Sequence, residues 1–96
     1  MTRQIEREKV LSAATQFIAS ELGFDGSVVD YEIQDAGKFI LFRARNIENA
    51  LNDVKVRSSI HKELATRLSD FNFNWMLAVL NGTGDVIDEI DSIAGY

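Results

Sequence analysis

The sequence predicts an α+β domain, a two-layer sandwich in the order α-β-β-α-β-β. A four-stranded antiparallel sheet carries two helices on one face. Three observations predict it. Apolar residues recur at helical spacing over residues 3–22 and again over 47–68. They alternate with polar residues, at a period of two, over 29–34 and 71–80. Glycine-bearing turns follow each of the alternating stretches.

The first helix spans 3–22. Val10, Leu11, Ala14, Phe17, Ile18 and Leu22 share one side of it. Thr2 is suited to cap its start and Gly23 to stop its end. Phe24-Asp25-Gly26-Ser27 reads as a turn. Val29, Tyr31 and Ile33 then alternate with Asp30, Glu32 and Gln34, as a half-buried strand does. Asp35-Ala36-Gly37-Lys38 is a tight turn, and Phe39–Arg45 pairs back on the first strand as a hairpin.

Asn46 is a suitable cap for a second helix running to about Ser69. Its expected apolar side carries Ile47, Ala50, Leu51, Val54, Leu64, Ala65 and Leu68. The stretch Val54–Ser59 is a weak spot, because β-branched residues and serines have modest helix propensity. The alternation from Phe71 to Leu80 is the clearest strand. Asn81-Gly82-Thr83-Gly84-Asp85 is a hairpin loop, and Val86–Ile93 reads as the returning strand. The order is shared by many folds and singles out no family.

The 96 residues suit a single domain, 1–96, with no linker or low-complexity tract. There is no cysteine, which excludes a disulfide scaffold, a thiol nucleophile and a thiolate metal site. The single histidine excludes a site built on several imidazoles. No apolar run approaches the length of a signal peptide core or a membrane span, so the cytoplasm is the expected compartment and no membrane partner is expected. The net charge is −5, distributed as −4 over 1–37, +4 over 38–67 and −5 over 68–96. The negative total disfavours non-specific nucleic-acid binding.

Each candidate for chemistry has a plainer reading beside it. His61 could act as a general base with Ser58 or Ser59; more plainly, it is an imidazole set among the apolar residues of the second helix. The loop 81–85 looks superficially like a phosphate cradle, but it opens no helix, and four acids lie at its end and beyond it. Those acids, Asp85, Asp88, Glu89 and Asp91, lack the spacing of a calcium loop and read as a solvated edge strand. Lys38, Arg43, Arg45, Lys55, Arg57, Lys62 and Arg67 sit near Phe39 and Phe42, a mixture that single-stranded RNA binding also uses. The plainer reading pairs these bases with acids across strands. No catalytic residue, metal ligand or cofactor is assigned.

The sheet faces are more informative. Val29, Tyr31, Ile33, Ile40, Phe42, Phe73, Trp75, Leu77 and Val79 form a face for the helices to cover. The opposite face carries Val28, Phe39, Leu41, Met76, Ala78 and Leu80 among Asp30, Glu32, Arg43, Asn72 and Asn74. A solvated face alternates more cleanly to polar residues. Two helices do not cover both faces, so these six apolar residues are the expected interface. The chain therefore reads as a small non-enzymatic interaction or regulatory module. Its expected partner is a second copy, through a two-fold interface, or else another protein. The alternative is a small-ligand binder using Tyr31, Arg43, His61 and Trp75.

Overall fold

The structure is a computed structural model, and it describes residues 2–23, 28–45, 50–69, 71 and 74–92. Helix α1 spans Thr2–Glu21. Thr2 already lies inside it rather than ahead of it. Leu11, Ala14, Ile18 and Ala19 are buried, at the i, i+3, i+4 spacing that makes one stripe. The helix closes at Gly23, whose φ of +84° is the left-handed value glycine takes without a Cβ clash. The N–H of Gly23 donates to the carbonyl of Ser20. The turn expected at 24–27 lies outside the described residues.

Strands β1 (Val29–Gln34) and β2 (Phe39–Arg45) form the expected antiparallel hairpin, with Tyr31 opposite Phe42. Their turn is a short 3₁₀ segment in which Asp35 and Ala36 also hold positive φ, 51° and 54°. Gly37 needs its freedom twice: its φ is +89°, and an added Cβ would stand 3.2 Å from the Arg7 guanidinium. Ala36 is exposed, so its Cβ makes no contact that offsets the left-handed strain, about 1–2 kcal/mol. Ala36→Gly is expected to raise stability by about 0.5–1 kcal/mol after glycine's entropy is subtracted. An unchanged or lower urea midpoint contradicts this.

After a second 3₁₀ turn at Ala50–Asn52, helix α2 runs over Val54–Arg67. It starts later than expected. Asp53 is its cap, accepting a 2.8 Å hydrogen bond from the Lys55 N–H on Oδ1. Asn46 lies outside the described residues. The supposed weak spot at 54–59 is the helix's first turns, where serines are tolerated. Because Ala50 and Leu51 lie in the separate 3₁₀ turn, the apolar side of α2 differs from the expected one. Ile60, Leu64 and Leu68 are buried and Val56 packs against them, whereas Val54 is 72% exposed and Ala65 faces solvent. A Ser59 hydroxyl donating to Glu21 Oε1 (2.6 Å) and the Arg67 guanidinium over the Phe17 ring (5.3 Å) tie α2 to α1.

Strand β3 covers Asn74–Leu80 and β4 covers Val86–Asp91, antiparallel to each other. The expected strand start at Phe71 is not strand; Asn72 and Phe73 lie outside the described residues. The sheet order is β1-β2-β3-β4, and β2 and β3 are parallel. The all-antiparallel expectation is therefore corrected to a mixed sheet. The two 3₁₀ turns are also additions to the expected order. Helix α2 explains the parallel pair. Its 14 residues span ~21 Å, and the seven of β2 span ~23 Å. The helix returns the chain to the end from which β2 began, so β3 runs the same way. Such a crossover is the usual route between parallel neighbours.

The buried side chains of both helices and one sheet face form a single cluster. Ile40, Phe42, Ala44, Leu77 and Ile90 are 0% exposed within it. Ile33, expected in this core, is 41% exposed near the end of the β1 edge.

Candidate functional site

The buried residues of β2 are Ile40, Phe42 and Ala44, so the pleat turns Phe39, Leu41, Arg43 and Arg45 to the face without helices. On β3, Trp75, Leu77 and Val79 join the core, and Met76, Ala78 and Leu80 share that other face. Register places Leu41 beside Met76, Arg43 beside Ala78 and Arg45 beside Leu80. The result is a concavity of about 580 Å³ lined by Phe39, Leu41, Met76, Ala78, Leu80 and Val86. Gln34, Arg43 and Arg45 border it with polar groups, and Gly84 touches it. Ala78 and Leu80 are its floor, buried by their neighbours. Val86 stands 56% exposed at the side.

Charge is arranged across this face in register. Asp30, Arg43, Ala78 and Glu89 form one row, and Glu32, Leu41, Met76 and Asp91 form the next. Asp30 Oδ1 accepts from Arg43 Nε (2.9 Å) and its Oδ2 from an Arg45 guanidinium nitrogen (2.6 Å). Burial pushes the Asp30 carboxyl up, but the hydrogen bonds and charges of Arg45 and Arg43 outweigh it and hold it below the usual aspartate range. Two guanidiniums share one carboxylate, so the Asp30–Arg43–Arg45 cluster carries one net positive charge, while Glu32 in the next row brings the β1–β2 side as a whole to neutrality. On the same side, Glu32 accepts a hydrogen bond from Gln34 Nε2. On the β4 side, Glu89 is exposed.

Five of the six expected interface residues line the concavity: Phe39, Leu41, Met76, Ala78 and Leu80. Val28 does not; it packs against the core from the helix side of the sheet's edge. Of the four proposed ligand residues, Trp75 and His61 are brought into contact, but the four do not share one site. Trp75 is 3% exposed in the core, with the half-buried His61 ring 5.6 Å from it. Tyr31 packs against Phe42, ring centroids 6.4 Å apart, and only Arg43 faces the concavity.

The chain matches no family model, no curated protein and no solved structure. Its own surfaces carry the functional argument.

The remaining candidates resolve into structural roles. Ser58 is exposed and Ser59 bonds Glu21, so neither makes a dyad with His61. In the loop 81–85, Asn81 Oδ1 accepts from the N–H groups of Thr83 and Asp85 and from the Thr83 hydroxyl, so the loop is bonded to itself. Asp88 takes Arg57 at 2.8 Å. Among the described residues, no group of three or more His, Asp or Glu stands close enough to hold a metal ion. None of their helices is long and apolar enough to cross a membrane. Of the basic residues, Arg43 and Arg45 pair with Asp30, Arg57 with Asp88, and Arg67 with Glu63.

The sequence reading missed Val86 and Glu89 as members of this face. For Val86 a register shift near Val79 and Leu80 is the reason, whereas Glu89 pairs with Ala78 in regular register. Val79 pairs with Asp88 and Leu80 with Val86, which leaves Ile87 as an extra residue. The bulge reverses the alternation of β4, so Val86 and Glu89 share the open face while Asp88 turns to Arg57. The glycine loop signalled the hairpin, and nothing in the sequence signalled the bulge.

Proposed function

We propose that this chain is a small non-enzymatic interaction module of the cytoplasm that pairs with a second copy of itself through the open sheet face. The observation that carries the reading is the continuous apolar floor on the face the helices leave bare. Half-buried Leu41 and Met76 are neighbours in register there, half-buried Phe39 precedes Leu41 on the same face of β2, and buried Ala78 and Leu80 continue the floor along β3 to exposed Val86. A lone exposed leucine needs no explanation, but a contiguous apolar concavity on a sheet marks an interaction surface. A second copy is the commonest partner, because a two-fold axis lets one patch serve both sides.

Magnitude sets the expected strength. Four strands at ~4.8 Å spacing and seven residues at ~3.3 Å rise give a face of about 19 by 23 Å. Two such faces bury about 900 Å² before corrugation, below the range of stable interfaces and within that of weak, transient ones. A reversible dimer in the micromolar range is expected.

Sedimentation velocity from about 1 to 100 μM covers that range. The wild-type chain is expected to shift from monomer to dimer as concentration rises. Leu41→Glu is expected to stay monomeric throughout while keeping its circular dichroism spectrum, because Leu41 lies outside the core cluster. A wild-type chain that remains a monomer at the highest concentration overturns the reading.

A further inference from the structure

We infer that the two copies stack with their two-fold axis parallel to the strands, so that Glu89 of each copy meets the Asp30–Arg43–Arg45 cluster of the other. This rests on the proposed self-pairing and adds its geometry. Two open faces related by a two-fold axis in the plane between them have two simple arrangements. An axis across the strands sets each strand over its own counterpart. Glu89 and Asp91 on β4 then face the partner's Glu89 and Asp91, like charge on like. An axis along the strands sets β1 over the partner's β4 and β2 over the partner's β3, and keeps each row level with itself.

The second arrangement brings complementary groups together. Asp30 and Glu89 lie in one register row, at opposite edges of the sheet. The partner's Glu89 therefore arrives over Asp30, where two guanidiniums already share a single carboxylate. It answers the single net positive charge of that cluster. Leu41 lands on the partner's Met76, from the neighbouring row, and Arg45 runs beside the partner's Leu80. The two-fold repeats each contact, so every substitution acts twice. The same axis brings Glu32 opposite the partner's Asp91, a like-charge pair. One arrangement thus assigns opposite signs to two acids of the same face.

The test is the dimer dissociation constant of purified full-length chains, measured by sedimentation. Glu89→Gln is expected to weaken the dimer on the order of tenfold, and Glu32→Gln to tighten it several-fold. General repulsion between two acidic chains predicts that both substitutions tighten it. Arg45→Glu is expected to weaken the dimer, and adding Glu89→Arg to restore it to within about threefold of wild type. Urea midpoints taken below the dissociation constant separate loss of pairing from loss of folding. If Leu41→Glu disperses the dimer but Glu89→Gln and Glu32→Gln shift it in the same direction, this geometry is overturned and the self-pairing stands. If the wild-type chain never dimerises, the self-pairing itself fails, and the face belongs to another occupant.

Discussion

Phe42→Ala is expected to remove about 3–5 kcal/mol of folding stability. A chain of 96 residues has about 5–14 kcal/mol in all, so the loss is about a fifth of the total or more. Phe42 is 0% exposed on β2, between Tyr31 on β1 and Leu77 on β3. Its ring contacts both neighbours' strands at once, and strands held in a ladder close poorly over the cavity it leaves. At about 4–6 °C per kcal/mol, the melting temperature is expected to fall by about 12–30 °C. Phe39→Ala is the control on the same strand. Phe39 is half-buried on the other face, and its loss is expected to cost about 1 kcal/mol or less at concentrations where the chain is monomeric. Equal losses at the two positions contradict the assignment of faces.

Arg57→Met is expected to cost about 1.5–3 kcal/mol. Arg57 leaves α2 and links three segments. One guanidinium nitrogen donates to the Leu51 carbonyl (3.2 Å) and to Asp88 Oδ2 (2.8 Å), and the other donates to the Glu89 carbonyl (2.9 Å). Methionine keeps much of the stem's volume and removes the donors. Two carbonyls and a carboxylate then lose a charged partner, and this exceeds what a typical exposed ion pair is worth. Asp88→Asn is expected to cost less, because Arg57 keeps both carbonyl bonds. Urea titration of the two variants decides it. An Arg57→Met loss within about 0.5 kcal/mol of zero, or one smaller than that of Asp88→Asn, refutes the linking role.

Local rules located most elements. The alternation of Val29–Gln34, Phe39–Arg45 and Trp75–Leu80 follows from the pleat, and the structure keeps all three as strands. The same rule named five residues of the open face. It failed for α2, because the helical phase was counted from Asn46 while the helix begins beyond Asp53. Ala50 and Leu51 belong to a separate 3₁₀ turn, and counting them on the same wheel draws the expected apolar side toward Val54 and Ala65 and away from Ile60. It failed at Val28, which follows no alternation because it precedes the strand.

Taken alone, the sequence determined the two α-helices and four strands, the two hairpins, and an apolar excess on one sheet face. Those properties come from periodicity and turn chemistry, which act over a few neighbouring residues. The tertiary structure decided that β2 and β3 run parallel, that Ile87 bulges, and that Asp30 and Glu89 share a row. Each depends on which strand lies beside which, and in what register. That choice is made by the packing of α2 across the sheet, between residues far apart in the chain, and short-range pattern carries no record of it.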